Sequence, residues 1–253
     1  MLVEIDRPHP QVLRLALSRP GEMNTFDRPM AEALGRALEA GLGDPAVRAI
    51  ILTGAGGQFS AGGKIDWMRD QSPDALKIYH RDVLGVLRRL ALAAKPTVAA
   101  IEGVCIGGGA GFALACDYVV MGEGARLGIP FLRIALVPDM ATAYFIARRT
   151  SPQVAKRLSL ENRVVKAGEA FELGLADVLV SDAQVQDRAV ALASELAALP
   201  PRAVAQTKEL LGHMATPFDE YLAAELAAQS VCIDGPEFSE GCAAFFEKRI
   251  PRY

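Results

Sequence analysis

Two glycine-rich segments and one aspartate are the parts of this chain whose residue types and spacing could do chemistry. The first segment is Gly54-Ala55-Gly56-Gly57-Gln58-Phe59-Ser60-Ala61-Gly62-Gly63-Lys64, and the second is Gly103-Val104-Cys105-Ile106-Gly107-Gly108-Gly109-Ala110-Gly111. Glycine tolerates positive φ and lets backbone come close to a ligand, so such segments can turn main-chain N–H groups into a cavity. Neither segment carries GxGxxG at a first strand-to-helix turn, and there is no GxxxxGK[ST] loop, which argues against nicotinamide binding and nucleotide hydrolysis. The aspartate is Asp139, which follows Pro138 where a helical pattern begins over 139–149. A helix N-terminus would stabilise its anion, whereas Leu136, Val137 and Met140 would favour the protonated form. A carboxyl group that exists in both forms during one turnover can act as base and then acid. A plain helix cap is the competing reading.

The elements that must position these groups follow a βαβα rhythm. Residues 12–18 read as a strand, and a helix starts near Asp27, a plausible cap, with Met30, Leu34, Leu38 and Leu42 along one stripe. Residues 47–53 form a nearly continuous apolar strand, as expected in a sheet covered on both faces. A helix over 75–94 ends before Pro96, and 97–101 is the third strand; 108–116 reads as a buried helix and 118–121 as another strand. Each glycine segment therefore comes directly after a strand, at the end where twisted parallel sheets bind ligands. Beyond Asp139 the pattern is mostly helical: 139–149, 152–158, 167–173, 185–199, 202–211, 219–231 and 236–248, with Ser151-Pro152 as a strong start signal. The tail is Ala-rich, and small residues such as Ala223, Ala224, Ala227 and Ala228 permit close helix approach, so self-association is expected.

Composition narrows the function classes. The chain has 253 residues, 51% hydrophobic and 23% charged, enough for a sizeable core and against disorder. A net charge of −3 gives no broad field for nucleic acid or an acidic membrane. Cys105, Cys116, Cys232 and Cys242 form no CxxC, and His9, His80 and His213 add no metal-ligand spacing, so no metal site is expected. His80 and His213 read as surface or helix-packing groups. No segment approaches 18 uninterrupted apolar residues and no cleavage signal is seen, so a cytoplasmic protein is expected.

Taken together, the two segments carry a more specific likeness. Phe59-Ser60-Ala61-Gly62-Gly63, the run from Gly103 to Asp117, and Leu136-Val137-Pro138-Asp139 resemble the crotonase, or enoyl-CoA hydratase/isomerase, superfamily. Arg19-Pro20 with Asn24, the run from Glu169 to Ala176, and the run from Ala244 to Arg249 extend the resemblance in order over almost the whole chain. It implies an α/β fold: a spiral of ββα units over 1–185 and a C-terminal helical trimerisation region over 186–253. It also implies an acyl-CoA thioester as substrate, with coenzyme A part of that substrate rather than a cofactor, and a homotrimer or dimer of trimers. The backbone N–H groups of Gly63 and Gly108 map to the family's oxyanion donors. Met23, Ala61 and Ile65 would lie along the coenzyme A, with Phe245 and Lys248 reaching its adenine and phosphate end from a neighbouring subunit. Trp67, Phe112 and Phe131 would shape the acyl pocket.

The resemblance breaks at the proton-transfer residues. The two glutamates used by similar hydratases map to Gly111 and Phe131, neither of which can carry a proton. Asp139 resembles the acidic residue of the isomerase branches, which implies an acyl-CoA isomerase with Asp139 as acid and base on an oxyanion-stabilised enolate. Hydration or another lyase reaction, with water positioned by Asp139, is the alternative. A noncatalytic thioester-binding or scaffold protein is a third. Lys64 stands where similar proteins commonly have aspartate, marking either an extra anionic group on the substrate or a solvent-exposed position.

Overall fold

The computed structural model describes residues 1–212 and 217–253, apart from the side chains of Phe218, Phe245 and Phe246; His213 lies outside the described residues. Nine strands are described: β1 (Val3–His9), β2 (Val12–Leu17), β3 (Ala49–Gly54), β4 (Thr97–Ile101), β5 (Val104–Ile106), β6 (Tyr118–Gly122), β7 (Arg126–Gly128), β8 (Val164–Lys166) and β9 (Val178–Val180). The larger sheet runs β1-β2-β3-β4-β6-β9, antiparallel in the first pair and parallel from β2 onward; β5-β7-β8 form a smaller second sheet. Because β3 and β4 are buried along their whole length, they carry continuous apolar runs instead of alternation.

Helices cover both faces. On one side α1 (Arg28–Gly43), α3 (Pro73–Ala91) and the wholly buried α4 (Gly108–Leu114) enclose the main core, and the short α2 (Ile65–Arg69) leads into α3. Asp27 caps α1 as its sequence suggests, accepting the Met30 N–H at 3.0 Å, and it is held in turn by the Arg19 guanidinium at 2.8 Å. Three shorter helices follow, α5 (Thr142–Arg149), α6 (Pro152–Leu160) and α7 (Ala167–Glu172), with the Ser151 hydroxyl capping α6. On the opposite face, Val185, Ala189 and Ala193 of α8 (Val185–Ala197) pack on Val12, Ile51 and Val98. Residues 186–197, which the sequence groups with the helical tail, thus pack within the core layer. Three helices complete the chain: α9 (Pro201–Gly212), α10 (Phe218–Ile233) and α11 (Pro236–Glu247). Leu222, Leu226, Val231 and Ile233 of α10 face outward. No described helix is long and apolar enough to cross a membrane.

Candidate active site

The two glycine segments are zipped together by main-chain hydrogen bonds. Phe59 N–H donates to Glu102 C=O and Ser60 N–H to Val104 C=O, each at 2.9 Å, while Ile106 N–H donates to Ser60 C=O at 2.8 Å. The buried Ser60 hydroxyl donates to Asn24 C=O and accepts from Gly62 N–H. Asn24 is fully buried; its amide donates to Ala55 and Gln58 C=O and its oxygen accepts from Arg19 N–H. Arg19 and Asn24, fragments of the family likeness, therefore serve as braces for the first segment.

This bracing leaves two donors free. Phe26 donates to Gly62 C=O and accepts from Lys64 N–H, so Gly63 between them directs its own N–H away from that bridge. Gly108 opens α4, where an N–H has no acceptor in its own helix. Among the described residues no backbone group accepts from either. Glycine is required nearby: Gly62 has φ +85°, and a Cβ there would stand 2.7 Å from Ile106 C=O and 3.1 Å from Gly108 N. Gly107 sits at φ 59°, ψ −130°, a region closed to L side chains.

Asp139 is brought to the same place by an unusual turn. The helix expected from 139 starts at Thr142 instead, because Met140 and Ala141 are both left-handed, at φ 47° and 51°. Such residues cost roughly 1 kcal/mol each. The turn is held by Thr142, whose N–H and hydroxyl both donate to Asp139 C=O, at 3.0 and 2.5 Å. Asp139 is thus no helix cap, and no N-terminal N–H stabilises its anion. Its Oδ1 is buried with no hydrogen-bond partner and lies 3.7 Å from where a Gly108 Cβ would stand. Burial pushes its pKa up to about 6, with the His80 charge opposing.

A cavity of about 500 Å³ opens at these groups, with Phe26, Leu84, Phe112, Val137 and Met140 among its mostly apolar walls. A second, of about 220 Å³, runs past Ala61, Ile65, Ile106, Phe131 and Arg133. Gly63, Met68, Gly108, Leu136 and Asp139 line both, so the two meet at the donors and the carboxylate.

Of the residues singled out in the sequence, this region unites Gly63, Gly108, Asp139, Ala61, Ile65, Phe112 and Phe131. Phe112 stacks on Phe26 with ring centroids 4.9 Å apart. Trp67 lines neither cavity; it packs edge-on to Tyr79, 4.8 Å away, and supports the wall from behind. Met23 is exposed and reaches the site through backbone, its C=O accepting from Ala61 N–H at 2.9 Å. Lys248 is exposed after α11 and lines neither cavity, and the Phe245 side chain lies outside the described residues. Lys64 pairs with Glu22 at 2.5 Å and Asp66 at 3.4 Å and lines neither cavity. His80 corrects the sequence reading: it lines the larger cavity and influences Asp139. Its place on the α3 stripe beside Leu76, Val83 and Leu84 was the available signal. Burial raises the thiol pKa of Cys116 to about 12 and that of Cys105 too, so neither supplies a thiolate. No metal-ligand cluster occurs among the described residues.

Comparison with known proteins identifies the family and the fold. Residues 8–253 match the family described as enoyl-CoA hydratase/isomerase. A Thermus thermophilus protein provisionally called an enoyl-CoA hydratase is 38% identical, over all of both chains. The 1,2-epoxyphenylacetyl-CoA isomerase of Escherichia coli is 30% identical over 96% of this chain and 94% of its own. The crystal structure of an enoyl-CoA hydratase from Bacillus anthracis superposes with a TM-score of 0.96 at 27% identity, covering 100% of this chain and 99% of the other. The α/β spiral with its C-terminal helices is the same fold.

Proposed function

The chain belongs to the enoyl-CoA hydratase/isomerase family and is an enzyme acting on a coenzyme A thioester, and from that premise we propose that it isomerises enoyl thioesters with Asp139 as sole acid and base. The thioester carbonyl sits between the Gly63 and Gly108 N–H groups. Asp139 removes a proton from the α-carbon of a β,γ-unsaturated thioester, the electron pair moves into the carbonyl, and the oxyanion is held by the two donors. The protonated carboxyl then delivers the proton to the γ-carbon, leaving an α,β-unsaturated product and the original carboxylate. Each donor contributes about 3 kcal/mol, the usual scale for preorganised oxyanion donors. The observation that carries the reading is the single unpartnered carboxyl oxygen beside Gly108 in a mostly apolar cavity. One proton carrier suffices for migration, and the walls next to Asp139 offer no second group to hold a water.

Hydration is the second reading, and the names of the relatives support it better than they support isomerisation. Asp139 would then take a proton from water adding at the β-carbon and return one to the α-carbon. The glutamate pair that similar hydratases use is missing at Gly111 and Phe131, which is why Asp139 must serve either reaction. In this reading the pantetheine follows Met23, Ala61 and Ile65, with Phe245 and Lys248 coming from a neighbouring copy in a trimer or dimer of trimers.

The deciding experiment incubates the wild-type protein in D₂O with enoyl-, dienoyl- and cyclic-CoA thioesters and follows product mass. Isomerisation predicts a conjugated product with no added water, its deuterium content reporting only how far the Asp139 proton exchanges before it is returned, and hydration predicts a product heavier by one D₂O. No reaction and no exchange across the panel would overturn both. The ionised carboxylate is the base, so the rate should fall as pH drops through about 6. His80→Gln removes a charge that favours the anion, so this acid limb should move to higher pH in a measured rate profile. An unmoved limb would show that His80 does not act on Asp139.

A further inference from the structure

The larger cavity is apolar where it meets Asp139, but its α3 wall is not. Lys77, His80 and Arg81 lie within two turns of that helix and all line the cavity, against Asp139 as its single acidic lining residue. An acyl pocket for a plain hydrocarbon gains nothing from three cationic or protonatable groups, because an alkyl end makes no charge-assisted contact. The charges are not committed elsewhere by strong bonds. Lys77 pairs with Asp74 at 3.0 Å and Arg81 with Asp82 at 3.4 Å, both solvent-exposed pairs that are worth little and exchange readily. Asp82 is shared with Arg28 at 3.2 Å. His80 lies between Lys77 and Arg81 on the same cavity wall.

We propose that the acyl group this enzyme takes carries a second anionic group, a carboxylate, at its far end, held by Lys77, His80 and Arg81. This rests on the thioester reading above and deepens it by naming a substrate class: dicarboxylic acids activated at one end as coenzyme A thioesters. The thioester carbonyl lies at the Gly63 and Gly108 donors, the reacting carbons lie at Asp139, and the apolar walls cover the methylenes between. The distal carboxylate ends at the cavity's α3 rim, where part of its hydration is kept and where it would compete with Asp74 and Asp82 for Lys77 and Arg81. That arrangement also keeps the substrate's own charge away from Asp139, whose ionised form it would otherwise disfavour.

The test compares 3-hexenoyl-CoA, a β,γ-unsaturated thioester, with its ω-carboxy counterpart of the same carbon number. The ω-carboxy thioester should have a kcat/KM at least ten-fold higher, with the difference in KM, and the advantage should shrink as salt is raised. The double variant Lys77→Gln/Arg81→Gln should lower the ratio of the two specificity constants at least ten-fold, and Arg81→Glu should invert it. A preference for the neutral thioester, or a ratio that these variants leave unchanged, overturns the proposal. Saturated hexanoyl-CoA and adipyl-CoA, titrated by calorimetry, provide an arm that needs no turnover. If neither unsaturated thioester reacts, the reaction reading fails, while the ratio of these two dissociation constants still decides the substrate class.

Discussion

Asp139→Asn will fold at least as well as the parent, bind acyl-CoA with little change, and turn it over about 10² to 10⁴ times more slowly. Activity falls because the amide has the shape of the carboxylate but cannot hold and return a proton. Exchange of α- or γ-protons with D₂O should be lost with it. Stability moves the other way. The Oδ1 atom has no hydrogen-bond partner to lose, and the ionised group is unfavourably placed, its pKa pushed up to about 6 by burial. A carboxyl group whose folded pKa exceeds its unfolded value binds protons more tightly when folded, so stability declines as pH rises from about 4 to about 6 and stays reduced above. Replacing it with neutral Asn removes this decline. With allowance for partial solvent access, the gain at pH 7.5 is about 1–2 kcal/mol, or several degrees in Tm. Near pH 4 the two proteins should melt alike. A variant that keeps full activity would remove Asp139 from the mechanism, and one that melts lower at pH 7.5 would remove the burial penalty on its charge.

The second large effect concerns the position where a hydratase glutamate would map. Gly111→Glu will not create a hydratase; it will unfold or badly destabilise the protein. A Cβ at residue 111 would lie 2.4 Å from Met140 C=O, 2.6 Å from Met140 Cβ and 2.9 Å from Thr142 Oγ1. Those atoms belong to the left-handed turn that carries Asp139, so the wall of the turn occupies the space a side chain would need. Relief requires moving backbone, and overpacking of this kind costs typically 1–3 kcal/mol even for small insertions. Gly111→Ala isolates the effect: its urea midpoint should fall by an amount equivalent to about 2–3 kcal/mol, and kcat should fall as Asp139 is displaced. A stable, fully active Gly111→Ala would show that the turn can yield. The aspartate and the glycine are thus two halves of one solution, since the acid can stand on this turn only if α4 presents a bare face to it.

Much of this arrangement was legible before the structure, because burial leaves a strong mark on composition. The strand at 97–101 and the helices starting at Pro152 and Val185 appear where apolar periodicity and Ser-Pro signals put them. Strand β1 did not announce itself: only Val3 is buried, and the exposed Glu4, Asp6 and Arg7 of an edge strand look like a loop. Strands β5, β7, β8 and β9 have three residues each, too few to show a period. The left-handed pair Met140 and Ala141 defeats sequence reasoning for another reason. Neither residue type favours that conformation, and tertiary packing around Thr142 and Gly111 imposes it. The place of His80 on the apolar stripe of α3 shows that it turns inward, but not which cavity that helix will border.

The ladder joining residues 59–60 to 102–106 holds two donors that belong to the main chain. Nothing at Gly63 or Gly108 can therefore be stripped away by exchanging one functional side group for another, and carbonyl activation is built into the path of the polypeptide. The proton carrier, in contrast, is one replaceable side chain mounted on a separately formed bend. For anyone redesigning this scaffold, the oxygen-gripping apparatus is the fixed fitting and the acid is the interchangeable tool. New reactions should be sought by relocating a carboxylate among neighbours such as Leu136 and Val137, which border the same space.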